Sequence, residues 1–117
     1  MNWQASGLSN DDFPGSTSVY EGIRQRLEAG GGSAQLSVEG AYSERPDYVV
    51  VVFGETPYAE YQGDRESVIY KLPDNDPDLA LMRRLQAEGN PVVGVFISGR
   101  PLGINPHLNA SDAMIAA

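Results

Sequence analysis

No cysteine occurs in the 117 residues, so disulfides and thiolate metal sites are excluded and the redox compartment is left open. Histidine is almost as scarce: His107 stands alone, which excludes a histidine-cluster metal site, and no cofactor is expected. Basic side chains are few, eight against sixteen acidic ones, and the net charge of -8 would repel a nucleic-acid backbone or an anionic membrane. A neutral or cationic partner suits it better. No window approaches the roughly 18 apolar residues that a membrane helix needs. The opening, Met1 to Phe13, has neither the basic residues nor the apolar run of a signal peptide. The glycine triplet Gly30–Gly32 follows a helical pattern rather than a strand, so a nucleotide-type phosphate loop is absent as well.

What is present is one domain's worth of chain with the composition of a folded protein. Its centre is a wholly apolar run, Tyr48 to Phe53, expected to form a strand buried on both faces. The strand empties into a loop carrying Glu55, Tyr58, Glu60, Tyr61 and Asp64. In open parallel sheets ligands bind beyond the carboxyl ends of strands, which makes this the expected working loop. Acceptors for hydroxyls beside aromatic rings suit a sugar, with Gly54 and Gly63 expected to let the backbone turn sharply.

Around that centre the elements are punctuated by caps. Ser18 with Glu21 fits a capping box, Val19, Tyr20, Ile23 and Leu27 fall at helical spacing, and the glycine triplet stops a helix over about 18–29. Arg24 and Arg26 on it read as solvated. Ala34, Leu36 and Val38 alternate with polar residues and predict a half-exposed strand. Asp76-Pro77 is an N-cap followed by proline at the first helical position, predicting a helix over 77–88. Pro91 to Ile97 is a second apolar strand, in which Gly94 suggests a close packing contact. Strand, loop, helix, strand is a parallel βαβ unit. Arg100, just past the second strand, could bind substrate or pair with a carboxylate of the neighbouring loop. The tail from Asn105 to Ala117 reads as either a helix with Asp112 near its start or a further buried strand. Trp3 reads as a plug at a core edge or as a platform for a sugar ring.

Glycoside hydrolysis needs two carboxyl groups, one of which must hold a proton near neutral pH. Glu60, between Tyr58 and Tyr61 with Glu55 and Asp64 nearby, fits the acid best, whereas Glu55 is expected to be buried and to hold the loop by hydrogen bonds.

The segments Trp3-Gln4, Asp12 to Tyr20, Val51 to Glu66 (VVFGETPYAEYQGDRE), Pro91 to Leu102 and Asn105 to Ala113 resemble the second, α/β-sandwich domain of family 3 glycoside hydrolases, in the branch of β-glucosidases and exo-β-glucanases. The resemblance runs through nearly the whole chain in order. It implies an α/β fold, a three-layer sandwich on a mostly parallel sheet, truncated at both ends, with residues 1–117 as part of that domain. It also implies a retaining exo-acting enzyme on terminal β-D-glucosyl residues, its nucleophile on a preceding barrel domain absent here. Glu60 matches the family's acid/base, and Trp3 the tryptophan beside the leaving-group sugar. Tyr58 and Tyr61 join Trp3 as substrate-binding residues, with Glu55, Asp64 and Arg100 in support. The implied partners are β-glucan oligosaccharides or aryl and alkyl β-glucosides, and the barrel domain. Alone, the chain is expected to be inactive. Localisation stays open, with periplasmic or secreted placement expected for the parent enzyme. A non-catalytic carbohydrate-binding module is the alternative, and a flavodoxin-like nucleotide domain is disfavoured by the missing phosphate cradle.

Overall fold

The structure is a computed structural model that describes residues 8–58, 61 and 63–117. Helix α1 (Val19–Ala29) starts where its cap predicts: Ser18 Oγ accepts from the Glu21 amide at 3.1 Å. The box is only half made, because the Glu21 carboxylate turns to Arg24 and Gln25 instead. Arg24 is thereby an ion-pair partner of Glu21 and Glu28 on the helix surface. Past the helix, Gly31 donates to Glu28 O and Gly32 to Leu27 O, satisfying the last carbonyls around the left-handed Gly31 at φ 83°.

Strands β1 (Val49–Gly54), β2 (Val92–Ile97) and β3 (Ala113–Ala116) form one parallel sheet in the order β1-β2-β3. Helix α2 (Pro77–Ala87) connects the first two strands, and the short α3 (Asn105–Asn109) connects the second to the third. The tail is a helical turn that ends before Asp112 and then a strand, and the expectation of a buried strand fails because β3 is mostly exposed, Ile115 by 52%. Asp112 fastens the start of β3, donating its amide to Val92 O and accepting from Val92 N, each at 2.8 Å.

Leu79, Met82 and Leu85 of α2 pack with Val51, Phe53, Val92, Phe96, Tyr70 and Ala110 into one core. Gly94 lies in this contact as its sequence context predicts: a Cβ there would fall 2.6 Å from Met114 Sδ.

Two expectations fail. The central strand is buried on one face only, with Val50 and Val52 41% and 43% exposed where Val51 and Phe53 are buried. The core that covers β1 lies on the side of Val51 and Phe53, so the apolar run reads as doubly buried while the described residues enclose one side of it. Residues 34–38 form no strand, and Val38 is 82% exposed. Alternation makes a strand only where another edge supplies ladder partners. Here the chain instead turns at Gly40 (φ 64°), with Ser37 Oγ accepting from the Ala41 amide.

Candidate active site

The carboxyl ends of β1 and β2 lie side by side, Gly54 in register with Ile97. Gly54 contributes space rather than a left-handed turn, since a Cβ there would meet the backbone of Ile97, 2.9 Å from its carbonyl carbon. Glu55 therefore emerges directly beside Ser98 and Arg100. Its side chain is 9% exposed, and its carboxylate accepts from Ser98 Oγ at 2.7 Å, from Arg100 Nη2 at 2.7 Å and Nε at 3.2 Å, and from Arg65 Nη1 at 3.2 Å. Burial pushes the Glu55 carboxyl up, but the hydrogen bonds from Arg100 and Ser98, the Arg100 charge and the bond from Arg65 outweigh it and hold the group below its ordinary value. Such a carboxylate stays ionised and bonded; it suits holding a loop, not donating a proton. Glu55 as a whole residue is half-buried rather than buried, but it holds the loop by hydrogen bonds as expected, and Arg100 pairs with the carboxylate of the neighbouring loop.

A cleft of about 240 Å3 opens between the two strand ends, walled by Glu55, Pro57, Tyr58, Ile97 and Ser98. The Arg100 guanidinium lies 4.1 Å from the centroid of the Tyr58 ring, so Tyr58 is partly engaged within the loop. Tyr61 is different: it is 88% exposed and sits at φ 69°, a left-handed conformation that costs a non-glycine residue roughly 1–2 kcal/mol. The Asp64 amide donates to Tyr61 O at 3.2 Å and closes a turn there, while Asp64 itself is solvent-exposed. Glu60 and Trp3 lie outside the described residues.

Arg65 and Ser98 were not singled out in the sequence. Beyond Glu55, Arg65 Nη2 donates to Ile69 O at 2.5 Å and Tyr70 O at 2.8 Å. Tyr70 in turn donates its hydroxyl to Gly54 O at 2.6 Å, so the returning limb of the loop is tied back to the end of β1. A serine one residue past an apolar strand was the available signal for Ser98; nothing local distinguished Arg65 from the other surface arginines. Among the described residues no group of His, Asp and Glu is placed to hold a metal ion, and no helix is long and apolar enough to cross a membrane.

Residues 1–117 match the glycosyl hydrolase family 3 C-terminal domain. The chain belongs to this family. The family 3 C-terminal domain seen here superposes on the crystal structure of an exo-1,3/1,4-β-glucanase (ExoP) from a Pseudoalteromonas species with a TM-score of 0.90 and 45% identity, covering 96% of this chain and 14% of that one. A structure of a point mutant of that glucanase gives a TM-score of 0.89 at the same 45% identity, over 96% of this chain and 18% of that one. The lysosomal β-glucosidase of Dictyostelium discoideum is 30% identical over 131 aligned positions, 98% of this chain and 15% of the relative. The family 3 domain described here thus spans less than a fifth of the length of these chains.

The lowered pKa of Glu55 makes stability depend on pH in a definite direction. Its contribution is complete above the ordinary carboxylate value of about 4.3 and is lost as pH falls through the lower folded value. Glu55→Gln should therefore cost about 1–3 kcal/mol at pH 7. In urea unfolding the gap between the two proteins should stay constant from about pH 7 to pH 5 and close below about pH 4. A gap that widens on acidification would mean that Glu55 is protonated in the folded state.

Proposed function

We propose that this chain is the acid/base-bearing domain of a retaining, exo-acting β-glucosidase or β-glucanase that releases terminal β-D-glucosyl residues. One observation carries the proposal: the loop containing the glutamate of the G-E-x-P-Y-x-E-x-x-G-D pattern is mounted at the carboxyl ends of two adjacent parallel strands, by a half-buried, ionised Glu55. The names of the relatives support the same reading. Glu60 protonates the glycosidic oxygen as an aspartate on a barrel domain attacks the anomeric carbon. Glu60, now ionised, then removes a proton from the water that hydrolyses the glycosyl-enzyme. In a retaining pair the two carboxyls stand roughly 5 Å apart, so the sandwich and barrel domains form one site between them. Trp3, Tyr58 and Tyr61 contribute rings beside the sugar accepted next to glucose. β-Glucan oligosaccharides and aryl or alkyl β-glucosides are the substrates, and the barrel is the intramolecular partner.

The experiment is chemical rescue in the barrel-containing enzyme. With Glu60→Ala and an activated aryl β-glucoside, azide should restore turnover and give β-glucosyl azide, the product of attack on a covalent intermediate no longer guarded by the carboxylate. Failure of azide to accelerate turnover, or an α-configured azide product, would refute the role of Glu60 or the retaining route respectively. Purified residues 1–117 alone should hydrolyse no aryl β-glucoside, because protonation without a nucleophile gives little rate. Saccharide binding with no turnover by the barrel-containing enzyme would instead favour a carbohydrate-binding module.

A further inference from the structure

The working loop is tied down by one side chain that comes from the neighbouring strand end. Besides its bonds to Glu55, the Arg100 guanidinium donates from Nη1 to the carbonyl of Gly63 and lies against the ring of Tyr58. In chain order two of these contacts, Glu55 and Tyr58, precede Glu60, and the third, Gly63, follows it. Neutralising Glu55 requires only the first. The bond to Gly63 O and the contact with Tyr58 add no charge balance; what they do is join the outgoing limb of the loop to the returning one. Gly63 is buried at this junction, and a Cβ on it would fall 2.6 Å from Cε2 of Tyr58, so the tyrosine ring fills the space where a side chain would stand. Arg65 adds a second tie from the returning limb to Glu55. The Arg100 amide also donates to Ser98 Oγ, and Ser98 Oγ reaches Glu55, so the strand end that carries Arg100 is held to the same carboxylate.

We infer that Arg100 is the positioning residue for the acid/base carboxyl: by joining both limbs of the 55–65 loop it sets the point from which Glu60 delivers its proton. This rests on the role proposed above for Glu60. A proton donor must lie within about 2.6–3.2 Å of the oxygen it protonates, and a displacement on the order of 1 Å can cost about 100-fold. Only a substrate whose leaving group needs the proton feels that displacement. Arginine suits the task because a rigid planar fork serves a carboxylate, a carbonyl and a ring face together, whereas a lysine ammonium is a single point charge.

The test measures kcat/KM in the barrel-containing enzyme for an alkyl β-glucoside and a dinitrophenyl β-glucoside, with Arg100→Met, Arg100→Lys, Glu60→Ala and the Arg100→Met/Glu60→Ala double variant. Arg100→Met should lose about 30-fold or more on the alkyl substrate and no more than about threefold on the dinitrophenyl one. Arg100→Lys should show the same asymmetry to a smaller degree, and it remains informative if the methionine variant does not fold. In the Glu60→Ala background Arg100→Met should add no further loss on the alkyl substrate, since the carboxyl it positions is gone. Equal losses on the two substrates, an Arg100→Lys enzyme indistinguishable from the parent on both, or a full additional loss in the Glu60→Ala background would each overturn the inference. If Glu60→Ala alone shows the leaving-group asymmetry and the Arg100 variants do not, only this inference fails. If Glu60→Ala shows none, the role of Glu60 fails with it.

Discussion

Glu60→Ala in the barrel-containing enzyme is expected to lower kcat/KM for an alkyl β-glucoside about 10²–10⁴-fold while leaving that for a dinitrophenyl β-glucoside within about tenfold. An alkoxide is too poor a leaving group to depart without a proton, so the first step of the retaining route stalls when the acid is removed. A dinitrophenolate departs unprotonated, and kcat/KM, which reports the steps up to glycosyl transfer, hardly notices. In the proposed mechanism the second step needs the same side chain as a base for both substrates. With the dinitrophenyl substrate, kcat should therefore fall together with KM as the glycosyl-enzyme accumulates, and a burst of dinitrophenolate should precede the steady state. Parallel losses of kcat/KM on the two substrates would make Glu60 a binding or structural residue. Attention would then move to Asp64, which is exposed at the returning end of the loop; Glu55, ionised and bonded to two guanidiniums, is engaged elsewhere.

Asp76→Ala is expected to destabilise the domain by about 2–4 kcal/mol, a large part of the roughly 5–15 kcal/mol that holds an ordinary domain folded. The Asp76 side chain is fully buried and works at both of its oxygens. Oδ1 caps α2, accepting from the amides of Asp78 and Leu79 at 3.1 and 3.2 Å. Oδ2 lies 2.8 Å from His107 Nε2, although the approach is not aligned as a hydrogen bond. His107 is itself buried and stacks on Phe53 with ring centroids 4.8 Å apart, tying α3 to β1. Loss of the cap alone costs about 0.5–2 kcal/mol, and the rest comes from leaving the buried imidazole without its polar neighbour. Asp76→Asn keeps an acceptor for the helix amides and should lose about half as much. Urea unfolding of the three proteins measures this. An Asp76→Ala loss no larger than that of a cap would show that the contact with His107 contributes nothing to stability.

His107 illustrates how much of the molecule was hidden in the chain. As a lone histidine it excluded a histidine-cluster metal site, and no local pattern pointed to a partner 31 positions earlier at the head of α2. Asp76 itself was legible as a cap, because capping involves residues two or three apart. The same contrast holds at the candidate site. The acidic, aromatic loop and its place after an apolar strand could be read from Tyr48 to Asp64. That Glu55 would take Ser98, Arg65 and Arg100 together could not.

The sequence by itself determined the start of both long helices, the two apolar strands, the βαβ order and the family motif around Glu60. Each rests on neighbours within a few residues or on a pattern repeated along one segment, and such interactions form wherever the chain goes. Tertiary structure alone decided that 34–38 would lie outside the sheet, that among the described residues one face of β1 would be covered and the other exposed, and that Arg100 would close the loop across 45 positions of sequence. Those outcomes depend on which edges and strand ends the topology brings side by side. A ladder partner, a covering helix or a buried counter-charge acts only once that adjacency exists, and no local pattern records it.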